Sequence, residues 1–151
     1  MASANHNVIG DPRMDDKEGV GTVNAKAAYD CVDNGWYWFG YKYENNLPFF
    51  IEFDVNAGQT VRFVIAWYAH TDYSGSNYYG NGLCADLNLD IYKGWGWYGM
   101  PNSYDSAWEI VQFTAPSIGT YRAMVSATDR GAGDPWTYPY GEYIYAAWYC
   151  W

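Results

Sequence analysis

Between Phe49 and Val55 apolar and acidic side chains take turns: Ile51, Phe53 and Val55 alternate with Glu52 and Asp54. A period of two is the signature of a strand with one face buried and the other wet. Asp86-Leu-Asn-Leu-Asp90 repeats the pattern and predicts that Leu87, Leu89 and Ile91 point inward while Asp86, Asn88 and Asp90 share the opposite face. Val61 to Tyr68 is almost wholly apolar, as expected of a central strand covered on both faces. Trp36–Tyr43, Trp108–Phe113, Tyr121–Ala127 and Tyr143–Trp148 bring the strand candidates to seven. Trp108–Phe113 runs into Ala115-Pro116 and turns over Gly119, so a strand, a turn and a further strand fall in one short window.

Turn chemistry separates these runs. Asn56-Ala-Gly58 predicts a tight turn. Residues 69–83, 94–106 and 129–141 are Gly-, Ser-, Asn- or Pro-rich and read as three long loops. A helical pattern precedes the strands: Thr22 is placed to cap it, Val23, Ala27, Ala28 and Cys31 share a face, and Asn34-Gly35 ends it. Residues 1–20 are polar and read as irregular. With no alternation of strands and helices, the chain predicts an all-β fold, an antiparallel two-sheet β-sandwich or jelly roll behind a short amino-terminal helical or irregular extension. The boundary falls at Gly35, giving an extension over 1–34 and a sandwich over 35–151.

Composition fits that picture. Aromatics make up 21% of the 151 residues, including 9 Trp and 17 Tyr. A fully buried ring removes ~150–250 Å² from water, roughly 4–6 kcal/mol before entropy is counted, so core material is plentiful. A net charge of −9 argues against a nucleic-acid partner. No run of 18 apolar residues is present to span a membrane, and residues 1–20 lack the basic start and apolar stretch of a signal peptide. Cys31, Cys84 and Cys150 show no metal-binding spacing; they allow one disulfide by any of three pairings, or three thiols.

Several residue groups are candidates for chemistry. Asp86, Asn88 and Asp90 offer oxygen donors for calcium, but strand positions two apart stand ~6.6–7 Å from each other, so loop donors must join them. Asp72 leads those, with Asp105, Asp129 and Asp134 behind it; the plainer reading is a solvated polar face. Trp95, Trp97, Tyr98, Tyr78, Tyr79, Trp136, Tyr138 and Tyr140 lie in the three loops, either as plates for a sugar, a polypeptide or an identical subunit, or as lids folded over the sandwich ends. Glu109 is expected to pair with Arg122 across a hairpin, and Trp67 and Trp148 to sit in the core. Ser3/His6 and Ser74/His70 lie close in sequence but carry no oxyanion-hole motif, so no catalytic triad is read here.

Five strings in order, Val61-Arg-Phe-Val-Ile-Ala-Trp67, Asp86-Leu-Asn-Leu-Asp90, Glu109-Ile-Val-Gln-Phe-Thr-Ala-Pro116, Gly119-Thr-Tyr-Arg-Ala-Met-Val125 and Tyr145-Ala-Ala-Trp148, resemble the β-sandwich that follows the catalytic domain of many subtilisin-like serine proteases. Met1-Ala-Ser-Ala-Asn-His-Asn-Val and Gly19-Val-Gly-Thr-Val-Asn-Ala25 look like the tail of such a catalytic domain. The resemblance implies a non-catalytic accessory domain, extracellular or at the cell surface, that stabilises its parent or holds a substrate or surface, with calcium as an occasional ligand. Its partners would be the parent catalytic domain, identical subunits, or a polypeptide or polysaccharide substrate. The family's catalytic residues have no counterpart in this chain. Two other readings stand beside it: a self-assembling filament or surface-layer subunit that uses the amino-terminal tail and aromatic loops, and a carbohydrate-binding module that uses Trp95 and Trp97.

Overall fold

The computed structural model describes residues 2, 24–68, 73–74, 77–78, 86–99, 107–127 and 142–151. One helix, α1 (Ala25–Asp33), precedes ten strands: β1 (Tyr37–Lys42), β2 (Phe49–Val55), β3 (Thr60–Trp67), β4 (Tyr73–Ser74), β5 (Asn77–Tyr78), β6 (Leu87–Lys93), β7 (Gly96–Trp97), β8 (Trp108–Thr114), β9 (Gly119–Ala127) and β10 (Glu142–Cys150). Seven of these match the strands predicted from alternation. The other three are two-residue strands inside stretches that read as loops.

Two four-stranded antiparallel sheets face each other, ordered β1-β10-β3-β8 and β2-β9-β6-β7, and β4 and β5 form a separate two-stranded ribbon. The fold is an all-β sandwich. Its core is what the alternation predicts. Val61, Phe63, Ile65, Trp67, Ile144, Ala146 and Trp148 of the first sheet meet Ile51, Phe53, Val55, Leu87, Leu89, Ile91, Tyr121, Ala123 and Val125 of the second. Rings bridge the layers. Phe63 stacks on Trp148 at 5.3 Å within its own sheet and packs on Phe53 at 5.1 Å across the gap. Tyr121 is fully buried against Phe53, Tyr98 and Phe113, and its hydroxyl donates to the Ser117 carbonyl at 2.9 Å. β3 is central to its sheet, which explains its unbroken apolar run.

Three sequence expectations change in detail. The helix is capped by Asn24 and not by Thr22: the Asn24 Oδ1 accepts from the Ala27 N–H at 3.0 Å, a role Asn fills at least as well as Thr. Thr22 and Val23 lie outside the described residues. The buried face of α1 is Ala27 and Cys31, at i and i+4, while Ala28 is exposed. Asn34-Gly35 does end the helix, with Gly35 at φ 65°.

The second change is topological. Ala115–Ile118 joins β8 in one sheet to β9 in the other, so it is an arch over the end of the sandwich and not a hairpin. Glu109 therefore never faces Arg122. It lies opposite Ile65, points inward and is buried, while Arg122 lies opposite Glu52 and pairs with it at 2.9 Å. The arch is held by Lys93, whose Nζ donates to the Ser117 Oγ at 2.9 Å and to the Ile118 carbonyl.

The third concerns the acidic face of β6. It is not open to water throughout: Asp86 and Asp90 are both buried, and the Trp97 Nε1 donates to Asp90 Oδ1 at 3.0 Å. β7 folds back on β6 through Gly94-Trp95 and lays the indole over the carboxylate.

Candidate functional sites on the outer faces

Because alternate residues of a strand point to opposite sides of a sheet, the register fixes which side chains share each outer surface. On the first sheet, Phe39 lies opposite Tyr145 and Tyr41 opposite Tyr143, while Tyr37 lies opposite Ala147. These rings stand on the side away from the core. Tyr43 follows β1, and Tyr68 packs edge-on against Tyr145 at 6.2 Å. Tyr41 sits edge-on to both Tyr143 at 4.9 Å and Tyr43 at 5.3 Å. The rings thus support one another in T-shaped contacts suited to their quadrupoles. A hydrogen bond to Tyr68, more than burial, holds the Tyr145 phenol above its ordinary pKa.

Tyr37, Phe39, Tyr41, Tyr43, Tyr68, Tyr143 and Tyr145 are each between 41% and 65% exposed. With roughly 150–250 Å² per ring, about half of it wet, seven such residues leave on the order of 700 Å² of aromatic surface in water. Monomeric proteins seldom carry a largest apolar patch above about 300–600 Å². Towards β3 and β8 the same face continues as Val64, Ile110, Trp108, Ala147 and Tyr149, where Ala2 packs on Val64 and Ile110 and is itself buried. Ala2 thus covers Val64 and Ile110, while the rings on β1 and β10 stay about half exposed.

The outer face of the second sheet is built differently. Register sets Glu52, Arg122, Tyr92 and Trp97 in one row across all four strands, with Phe50, Met124 and Asp90 in the next. Phe50, Glu52, Tyr92, Arg122 and Met124, with Lys93, Gly94 and Thr120, line an open groove of about 730 Å³. Charges here are paired: Arg122 with Glu52, and the Thr120 hydroxyl donates to Asp54 at 2.7 Å. Trp95, at the tip of the β6–β7 turn, is fully exposed, and Trp97 is 53% exposed.

The residues singled out from sequence divide accordingly. Trp95 is fully exposed at the β6–β7 turn, and Trp97 is half exposed with its indole bonded to Asp90. Tyr98 is partly buried and packs into the core against Tyr121 and Phe113, so it serves as a lid. Tyr79, Trp136, Tyr138, Tyr140 and the side chain of Tyr78 lie outside the described residues, as do Asp72, Asp105, Asp129 and Asp134. So do Ser3, His6, His70 and the side chain of Ser74. Among the described residues no three His, Cys, Asp or Glu side chains gather as a metal site. Of the proposed calcium donors, Asp90 is engaged by Trp97 and Asn88 is half-buried.

Alternation alone did not single out the aromatic face of β1 and β10. Its signal is Tyr37-Trp-Phe39-Gly-Tyr41-Lys-Tyr43 set against Tyr143-Ile-Tyr145: aromatic residues at every second position on two strands that pair.

No protein-family model matches the chain, and no curated protein matches it. Among solved structures, the pre-peptidase C-terminal domain of a collagenase from Bacillus anthracis is similar, with a TM-score of 0.48 and 10% sequence identity over 74% of this chain and 86% of that one. No helix among the described residues is long and apolar enough to cross a membrane.

Proposed function

We propose that this chain is a non-catalytic accessory β-sandwich of an extracellular subtilisin-like protease or a relative, and that it works by holding polypeptide against the aromatic face of β1 and β10. The polypeptide is either the surface of its own parent catalytic domain or a substrate. The observation that carries the reading is the half-exposed, ring-covered surface from Tyr37 to Tyr145. Exposed Tyr and Phe offer large contact area with little side-chain entropy to lose, and Tyr adds a hydroxyl for peptide groups. The strings that resemble the protease accessory domain fall on β3, β6, β8, β9 and β10, the strands that frame both sheets. The boundary proposed at Gly35 keeps α1 with the amino-terminal extension, docked on the sandwich through Ala27 and Cys31.

The test is retention on immobilised heat-denatured gelatin, beside cellulose as a polysaccharide control. The full chain is expected to be retained by gelatin, and the triple variant Tyr37→Ser, Phe39→Ser, Tyr41→Ser to run through. Failure of the unaltered chain to bind gelatin sinks the substrate arm. The arm in which the face docks on the parent then requires that the chain stay monomeric in sedimentation, because concentration-dependent polymers would favour a self-assembling surface subunit.

Trp95 and Trp97 beside the groove support a second reading, a carbohydrate-binding module. It requires that a soluble polysaccharide quench tryptophan fluorescence and that Trp97→Ala remove the quenching. Calcium is proposed only as a stabilising ligand that brings in donors from the loops around Asp72. A chelator that leaves the melting temperature unchanged rules it out.

A further inference from the structure

At the start of β1 the ladder with β10 is handed over to the helix. The Trp148 N–H donates to the Trp36 carbonyl at 3.0 Å, as in an antiparallel pair whose two residues exchange both bonds. The return bond is missing, because the Trp36 N–H turns back to the Cys31 carbonyl at 2.7 Å. The Trp148 carbonyl is taken instead by the Cys31 thiol, whose Sγ donates to it at 3.2 Å. So α1 takes the place beside β10 that β1 leaves open, with Cys31 on the Trp148 carbonyl. Cys150, two residues further along the strand, lies on the inward face with Trp148. Both thiols are buried and free, and the elements that carry them, α1 and β10, pack against each other with Cys31 bonded two residues from Cys150.

We propose that Cys31 and Cys150 form an intrachain disulfide that clamps α1 to the final strand of the sandwich. Of the three pairings that the sequence allows, this one joins thiols on elements already in contact. The oxidant is a low-molecular-weight disulfide such as oxidised glutathione. The Cys31 thiolate attacks one of its sulfurs and releases one small thiolate. The Cys150 thiolate then attacks Cys31 Sγ and releases the second. Two protein thiols are oxidised, one small disulfide is reduced, and both protons end on the released thiols. Exchange requires thiolates, and burial raises the pKa of both cysteines, so the reaction is slow in the native state and fastest before α1 docks. Once formed, the bond is shielded from reductant by the same burial.

The test is oxidation of the full chain in a glutathione redox buffer, followed by non-reducing tryptic mapping. The expected product is two hydrogens lighter than the reduced chain and links peptide 27–42 to peptide 131–151. Its Tm should exceed that of the reduced chain by roughly 10 °C or more, because the bond closes a loop around nearly the whole sandwich. Cys84→Ser should leave both results intact, and it serves as the decisive variant should Cys31→Ser or Cys150→Ser fail to fold. A cross-link to peptide 63–93, which holds Cys84, or recovery of three alkylatable thiols after oxidation and denaturation, would overturn the proposal.

Discussion

The outer surfaces of the two sheets share the same pleat and the same buried neighbours, but their chemistry is opposite. Behind β1 and β10 the outward positions from Tyr37 to Tyr43 and from Tyr143 to Tyr145 are Tyr and Phe, about half exposed, and Tyr41 meets Tyr143 edge-on. Behind β2, β9 and β6 they are Glu52, Arg122, Asp54 and Thr120, paired across strands in a groove edged by Phe50 and Tyr92. Sheet stability comes from the inward positions in both cases. The outward positions are thus free to specialise, one for broad apolar contact and the other for a bounded, polar one.

The largest expected effect checks that division from the inside. Phe63→Ala removes a ring that is fully buried against Phe53 and Trp148 and should cost about 3–5 kcal/mol in urea unfolding. A loss below about 1 kcal/mol would mean that the interior is not the common foundation of the two surfaces.

Next comes a titration that belongs to neither outer face. Burial pushes the Cys150 thiol from 9.0 up to about 11. Below pH 9 folded and unfolded chains both hold the proton and the group has no effect. Between pH 9 and about 11 the unfolded state loses it first, so the reduced protein loses on the order of 2 kcal/mol of stability across that window. The difference between the parent chain and Cys150→Ser in reductant isolates this from tyrosine ionisation.

On the aromatic face, the triple variant at Tyr37, Phe39 and Tyr41 should lower gelatin binding at least tenfold while changing stability by no more than about 1.5 kcal/mol. Equal losses of folding and binding would make these rings structural and erase the contrast. The smallest effect is on the charged face. A double-mutant cycle on Glu52 and Arg122, both more than half exposed, should give at most about 1 kcal/mol and vanish in molar salt.

The interior was legible in the sequence because period-two alternation reports burial directly: Ile51, Phe53 and Val55, and Leu87, Leu89 and Ile91, lie where it places them. The aromatic face was harder to read because β1 is aromatic on both sides. Trp38 packs against the core and Phe39 points away from it, and nothing in their hydrophobicity tells them apart. Glu109 and Arg122 were misassigned because a short turn between two strands looks the same whether it closes a hairpin or arches from one sheet to the other. β7 escaped notice since two residues cannot show a period. Trp97 is placed by its indole bond to Asp90, a contact no spacing rule anticipates.

The position of β10 has a consequence for synthesis. It is last in chain order of the strands among the described residues, yet it lies between β1 and β3 and bonds to both. While residues 142–150 are still inside the ribosome, β1 has no neighbour and β3 offers an open edge to any other extended chain. The first sheet closes in a single step of high contact order that waits for residues 142–150, so crowding and holdase chaperones bear most heavily on this sandwich before that strand has emerged.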